Sequence, residues 1–358
     1  MQARRIQIDA LKAVGSHMIV LHHLVAYGPV SDALAQALPA LMGWLFDYGR
    51  MAVQIFLVLG GYLAVAALEP TARARTGSLP QTLLRRYQRL VLPFLVAVLI
   101  CMATAEAVRP WLTADLLPGP PTWSQVLAHV FLLHSVLDFD SLSAGAWYVA
   151  MDFQLFAVMA VLLHLGYCAP GLPRLAHWLV VGLMLASLFY FNRFVVWDAW
   201  ALYFFGAYGL GAAARWIGRS RYPEIMLILL VVPVACALWL EFRARIALAL
   251  AVAVLLGLAQ WAHVRSHHWP EVAPPVARVV HALGKISYAL FLIHFPVLLL
   301  GNAVFTALNL SGPEAAGALL LACWAASVVA AIAFARWVEA PLAHWGYKRS
   351  LLSPRAGL

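Results

Sequence analysis

Long apolar stretches separated by short polar segments form the dominant pattern of this chain. A helix that crosses a bilayer needs roughly 20 mostly apolar residues. Ten stretches meet that requirement, near residues 9–27, 49–68, 86–107, 144–166, 174–191, 198–216, 224–240, 246–264, 279–301 and 315–337. The pattern predicts an all-α integral membrane protein, a bundle of about ten transmembrane helices.

An eleventh stretch, 121–136, is shorter and more polar, and the basic residues indicate how it lies. If it does not cross and the N-terminus is cytoplasmic, 19 of the 24 Lys and Arg residues fall on or near the cytoplasmic side. Crossing would remove most of this asymmetry, which membrane proteins normally show. We therefore predict that 121–136 is re-entrant or lies on the surface, and that both termini are cytoplasmic. Arg243 and Arg245 on the outer side are the local exception.

Composition agrees with a membrane protein. The chain is 64% hydrophobic and 11% charged, whereas soluble domains contain roughly 25% charged residues. The net charge of +9 lies mainly in short loops, as topology determinants do, so we expect a lipid bilayer as partner and no nucleic acid. The four cysteines have no metal-ligand spacing, so we expect no metal. We expect one transmembrane domain over residues 1–345 and a short basic cytoplasmic tail over 346–358.

The first predicted helix contains several ionisable residues, which are costly inside a membrane and therefore candidates for function. Lys12 and His23 are eleven residues apart, so they share a helix face roughly 16 Å apart along the axis. The adjacent pair His22–His23 favours a functional site, whereas His17 alone is typical of a hydrogen-bonded core residue.

A second candidate is the carboxylate of Asp152, which lies roughly 12 Å into the fourth of these stretches. A buried carboxylate needs a partner, and a carboxylate that orients an imidazole strengthens a general base. We therefore expect Asp152 to pair with His23, with Trp147 and Gln154 nearby.

Three further groups complete the candidates. Ser287, Tyr288 and His294 lie in the 279–301 stretch. Arg85, Arg86 and Arg89 cluster at the inner end of the third stretch, where guanidinium groups suit either ligand phosphates or lipid headgroups. Gly60 and Gly61 permit close approach of a helix or ligand.

Six segments, taken in order, resemble motifs of the membrane acyltransferase-3 family. They are Ile8-Asp9-Ala10-Leu11-Lys12 with His23, Phe56 to Tyr62, Arg86 and Arg89 with Pro93, Trp147 with Asp152 and Gln154, Gly284 to Pro296, and Val338-Glu339-Ala340-Pro341. Three positions depart from the family pattern: Lys12 stands in place of Arg, Gly60 in place of Ser and Asp152 in place of Glu.

The resemblance implies an O-acyltransferase that uses cytoplasmic acyl-CoA, with acetyl as the expected acyl group, and modifies a hydroxyl of an envelope or extracellular carbohydrate. Lys12, Arg85, Arg86 and Arg89 would hold CoA. His23 would remove the acceptor proton, with Asp152 or Gln154 fixing its tautomer and His22 as the alternate base. A covalent acyl-histidine remains open.

The remaining candidates would bind substrate, and they are Trp147, Gln154, Ser287, Tyr288, His294, Gly60 and Gly61. A bacterial inner membrane is the expected location.

Two other classes of function are compatible with a polar membrane core. One is a proton-coupled secondary transporter or flippase of a glycan or small molecule, because buried His and Asp residues can relay protons. Against it, the sequence shows no inverted repeat and no matching pair of broken helices. The other is a structural scaffold for envelope assembly, which would not need the buried His and Asp residues.

Overall fold

The computed structural model describes residues 2–73, 78–113, 116–172, 174–265 and 272–343. Within these ranges the chain forms fourteen α-helices and no strand, which confirms the all-α prediction. The helices are α1 Gln2–Ala26, α2 Pro29–Ala37, α3 Pro39–Gly49, α4 Val53–Arg73, α5 Leu79–Val108, α6 Trp123–Val130, α7 Ala146–Cys168, α8 Leu175–Phe189, α9 Ala201–Ile217, α10 Pro223–Leu240, α11 Ala244–Val264, α12 Pro274–Lys285, α13 Ser287–Ala307 and α14 Pro313–Phe334. The predicted tail, 346–358, lies outside the described residues.

Each of the ten predicted stretches overlaps one or two helices. By length and composition, eight helical stretches of the described chain can cross a membrane, or nine if the bent pair α1 and α2 forms one span. The remaining predicted stretch, 198–216, corresponds to α9, which has 17 residues. Ten is therefore an approximate count, and the membrane-bundle architecture stands.

Two boundaries differ from the sequence prediction. Residues 28–48, which lie between two of the predicted spans, form α2 and α3, and α3 belongs to a 32-residue apolar stretch, Pro39–Pro70. The stretch expected as one helix over 279–301 is divided at Ile286 into α12 and α13. Apolar periodicity alone does not locate such breaks, because both sides of the break remain hydrophobic.

The described chain forms two compact units whose segments alternate along the sequence. Unit 1 comprises Met1–Gly15, Met51–Leu83 and Met151–Gly284, and unit 2 comprises Ser16–Arg50, Leu84–Ala150 and the described part of Lys285–Leu358. In unit 1, α9 is the central helix, with 14 of its 17 residues buried among α4, α8 and α11. In unit 2, α13 has 15 of 21 residues buried and packs against α14 and α2.

The pair Gly60–Gly61 allows α4 to pack closely on α9 in unit 1. A Cβ atom at Gly61 would lie 1.8 Å from the carbonyl oxygen of Tyr208, and one at Gly60 would lie 2.8 Å from the Tyr208 ring. Gly211 of α9 is equally close to α4, because its Cβ would lie 1.9 Å from the carbonyl oxygen of Val58. The small residues thus have a packing role in the core of unit 1.

Gly61→Ala is expected to destabilise the protein severely, because the new methyl group meets backbone that cannot rotate away. Overpacking typically costs about 1–3 kcal/mol, and more where backbone must move. The thermal unfolding midpoint in detergent measures the effect. Gly182→Ala in α8 is the matched control, since its Cβ would meet nothing within 4 Å. Equal midpoints for the two variants would contradict the close α4–α9 contact.

The segment around α6 runs alongside α5 in unit 2. The Tyr87 hydroxyl, near the start of α5, donates a hydrogen bond to the carbonyl of Val130 at 2.5 Å, and the Phe94 ring stacks on His129. Tyr87 lies 21 residues before Val108 in α5, a distance of roughly 32 Å. Since 121–136 is joined to the opposite end of α5, these contacts show that the segment turns back along α5, and its position relative to the bilayer stays a prediction.

Arg243 and Arg245, the exception to the charge rule, are structural residues of unit 1. Arg243 is buried and donates through Nη1 to Asn192 Oδ1 and through Nη2 to the carbonyl of Leu188, both at 2.9 Å. Arg245 donates through Nη2 to the carbonyl of Asn192 at 3.0 Å. These bonds fix the start of α11 to the turn after α8, and they explain two arginines on one predicted outer loop.

Candidate functional site

Two histidines meet in the interior of unit 2. His23 of α1 is 8% exposed and His294 of α13 is 1% exposed. Nδ1 of His23 lies 2.6 Å from Nε2 of His294, and the two rings are nearly parallel, with an interplanar angle of 9°. One histidine of the first predicted helix and one of the 279–301 stretch therefore form a single buried imidazole pair.

The hydrogen bonds of the pair determine which ring nitrogen carries the proton. Nδ1 of His294 lies 3.1 Å from the carbonyl oxygen of Leu290, and a carbonyl can only accept, so this nitrogen is protonated. In neutral His294 the other nitrogen, Nε2, is then an acceptor, and His23 must donate to it from Nδ1. This assignment leaves Nε2 of His23 with a free lone pair, which is the form a general base needs.

A bend after His23 places the end of α1 against α13. The axes of α1 and α2 differ by 91°, and Gly28 provides the turn with φ of +93°, a conformation that L side chains rarely adopt. Asn302 accepts from the Val30 amide at 3.2 Å and donates to the Tyr27 carbonyl at 3.4 Å. Asn302 lies two helical turns beyond His294, so it sets the register of the two histidine-bearing helices.

The other two histidines of α1 have structural contacts. His22 is half-buried, and its Nδ1 lies 3.3 Å from the carbonyl of Leu45, to which it donates. His17 accepts at Nδ1 from the indole N–H of Trp324 at 3.1 Å. The sequence interpretation of His17 as a hydrogen-bonded residue agrees with this contact, and His22 faces α3 while His23 faces α13.

Asp152 belongs to unit 1, where it is buried at 8% exposure. Its Oδ1 would lie 3.6 Å from a Cβ at Gly60, so the carboxylate faces the close α4–α9 contact. Gln154, on the same helix, is half-buried, and so is Trp147 in unit 2. The pairing of Asp152 with His23 stays a prediction, and the partner of His23 that the structure identifies is His294.

The predicted donor-binding residues belong to two helices. In unit 1, Lys12 is half-buried and lies one turn after Asp9. Oδ2 of Asp9 lies 2.7 Å from Nδ1 of His281 in α12. In unit 2, Arg85 and Arg89 are exposed and Arg86 is half-buried at the start of α5.

Ser287 and Tyr288 begin α13 in unit 2. Ser287 is buried, and the Tyr288 hydroxyl donates to the carbonyl of Leu90 at 2.9 Å. Tyr288 thereby joins α13 to α5, the helix that begins with the arginine cluster.

The family comparison agrees with the motif pattern. A family model described as an acyltransferase domain matches residues 5–336, nearly the whole chain. The chain belongs to the acyltransferase-3 family. It is a membrane acyltransferase. Among curated proteins and among solved structures, no significant match to this acyltransferase is found.

Within the residues that the structure describes, the acyltransferase has no group of three His, Cys, Asp or Glu side chains placed to hold a metal ion. Its buried polar groups instead form small hydrogen-bonded clusters. The sequence did not indicate two of these, the link of Asn302 to the end of α1 and a cluster of Arg215 with Tyr62 and Gln260. An amide in the middle of an apolar helix is the signal that would have pointed to both Asn302 and Gln260.

A second histidine pair lies in and just after α6 of the acyltransferase. His129 is held by the Gln125 carbonyl and the Leu142 amide, and its ring stacks on His134 with centroids 4.0 Å apart. His134 is fully buried, and neither of its ring nitrogens has a hydrogen-bond partner in the described chain. Burial, and then the neighbouring His129, lower the pKa of His134 well below its ordinary value.

His134 is expected to make the acyltransferase less stable in acid. Its pKa is lower in the folded than in the unfolded chain, so the unfolded chain takes up a proton first, and stability is lost as pH falls below about 6.5. Between pH 7 and pH 5 the loss is about 2 kcal/mol. His134→Phe should therefore melt a few degrees higher than wild type at pH 5 but not at pH 7. His263→Phe, at an exposed histidine, is the control. If His134→Phe changes the unfolding midpoint equally at pH 5 and pH 7, His134 is not the cause of the acid sensitivity.

Proposed function

We propose that this acyltransferase moves an acyl group, with acetyl expected, from cytoplasmic acyl-CoA to a hydroxyl of an envelope or extracellular carbohydrate. The observation that carries the proposal is the buried His23–His294 pair, whose hydrogen bonds leave Nε2 of His23 as a base. Family membership supplies the reaction class.

In the proposed reaction, Nε2 of His23 takes the proton of the acceptor hydroxyl while its oxygen attacks the thioester carbonyl carbon. The new C–O bond forms, the C–S bond breaks, and the thiolate of CoA leaves and recovers the proton from His23. His294 holds the His23 ring and its tautomer throughout, the task that Asp152 or Gln154 was expected to perform. Release of CoA before any acceptor is added would instead favour a covalent acyl-histidine.

The donor is proposed to approach from the cytoplasmic side, with both termini on that side of a bacterial inner membrane. Lys12, Arg85, Arg86 and Arg89 would bind the CoA phosphates, and clustered cations at one helix start support this role. Trp147, Gln154, Ser287, Tyr288, Gly60 and Gly61 are proposed to line the substrate path. For Gly60 and Gly61, packing of α4 on α9 is a role that the contacts already explain.

The test is acyl transfer by the purified protein in liposomes. With acetyl-CoA labelled in the acetyl group and crude envelope glycan, we expect a glycan ester that mild alkali releases, with one CoA freed per acetyl transferred. A protein that moves glycan across the liposome membrane without consuming acetyl-CoA would be a transporter, and the proposed function would then be wrong. Failure with a broad panel of acyl donors and acceptors would also count against it.

A further inference from the structure

Arg215 of α9 is a buried cation in unit 1 that has no buried anion beside it. The residue is 5% exposed, and it forms no ion pair with any carboxylate of the described chain. Its Nη1 donates to two neutral oxygens, the Tyr62 hydroxyl at 3.4 Å and Oε1 of Gln260 at 3.3 Å. A buried charge is costly unless it is paired, and an external anion would supply the partner that these residues lack.

The unsatisfied part of Arg215 has the geometry of an anion-binding fork. Tyr62 and Gln260 occupy Nη1, whereas Nε is buried and makes no hydrogen bond. The edge formed by Nε and Nη2 presents two parallel N–H groups, and elsewhere in this chain Arg109 uses the same edge to hold both carboxylate oxygens of Glu106. Carboxylate and phosphate oxygens match this edge.

The surroundings hold the guanidinium in position. The Tyr62 hydroxyl donates to Gln260 Oε1 at 2.6 Å, and the guanidinium carbon lies 5.2 Å from the centre of the Tyr62 ring. Arg215 lies in the last turn of α9, where a helix dipole favours a cation. Its hydrogen bonds nevertheless go to α4 and α11 and not to the last carbonyls of α9, so helix capping does not account for it.

We propose that the Nε–Nη2 edge of Arg215 binds a phosphate group of a ligand. Two sources carry this chemistry. One is the nucleotide portion of CoA, an assignment that rests on the proposed function. The other is the headgroup of an anionic phospholipid, which is independent of it.

The nucleotide source is tested by direct binding in a neutral detergent. We expect wild type to bind CoA more tightly than pantetheine, which lacks the nucleotide phosphates, and Arg215→Gln to weaken CoA binding about 10- to 100-fold while leaving pantetheine unchanged. Arg215→Lys keeps the charge but loses the fork, so its affinity for CoA should fall between those of wild type and Arg215→Gln. The lysine variant also carries the test if Arg215→Gln does not fold. Arg219→Gln, at an exposed arginine one turn later, is the matched control.

The lipid source is tested in vesicles of phosphatidylcholine with and without phosphatidylglycerol. If the ligand is a lipid, phosphatidylglycerol raises the unfolding midpoint of wild type and not that of Arg215→Gln, and CoA binding is the same in both. If wild type binds no CoA, the proposed donor is wrong, and the vesicle experiment alone decides whether Arg215 binds phosphate.

Two results would overturn the proposal. The first is an Arg215→Gln protein that responds to CoA, pantetheine and phosphatidylglycerol as wild type does. The second concerns Glu271, which lies outside the described residues. If Glu271→Gln destabilises the ligand-free protein as much as Arg215→Gln does, the counter-charge is internal and no ligand is needed.

Discussion

His23→Ala should reduce acyl transfer to a small residual rate while leaving the protein folded. A positioned general base contributes about 10²- to 10⁴-fold to the rate, and the variant removes the only ring nitrogen that the His23–His294 hydrogen bond leaves as a lone-pair acceptor. The expected loss is in kcat. Donor binding should persist, because the predicted CoA-binding cations are on other turns and helices. Initial rates of labelled ester formation measure kcat, and CoA titration measures binding.

His22→Ala is the matched control for this substitution. It removes the same side chain at the adjacent position, but His22 donates to the Leu45 carbonyl and faces α3. We expect this variant to retain most of its activity, with a modest loss of stability. If His22→Ala is inactive and His23→Ala is not, His22 is the base and the role assigned to the buried pair is wrong.

The extent to which sequence alone predicted this molecule differs between the fold and the site. The spans followed from apolar length, because a bilayer imposes a minimum number of hydrophobic residues on any crossing helix. The break at Ile286 did not follow, because apolar residues continue on both sides of it. Helices α2 and α3 did not follow because they have only 9 and 11 residues, too few to be recognised as spans. Gly28–Pro29 was a visible turn signal, but only the Asn302 contacts show what the turn positions.

For the site, sequence identified His23 and His294 as separate candidates and paired His23 with Asp152. A buried carboxylate beside an imidazole is a sound expectation from charge alone. Side-chain partners across helices depend on rotation about each helix axis, which one sequence does not specify. A shift of one residue turns a side chain by about 100°, enough to change the facing helix, as the different contacts of His22 and His23 show.

Substitutions of His294 should separate a positioning role from a merely structural one. His294→Leu leaves the Nδ1–H of His23 buried without an acceptor, so the ring is free to adopt the other tautomer or another orientation. We expect kcat to fall about 100-fold or more. His294→Gln offers an amide oxygen that can accept the same hydrogen bond, and a bond of this kind is worth about tenfold or more in rate. Glutamine should therefore restore part of kcat, with the KM for acetyl-CoA little changed in both variants.

The double variant His23→Ala/His294→Leu provides the decisive comparison. If His294 acts only through His23, removing it from a protein that already lacks His23 costs nothing further in kcat, because residues that act as a unit are strongly non-additive. If His294 only fills space in the core of α13, the losses in rate should follow the unfolding midpoints, glutamine should be no better than leucine, and the two single losses should multiply. That result would leave His23 as the base but would require another residue to fix its tautomer, and Asp152 would then be the first to test.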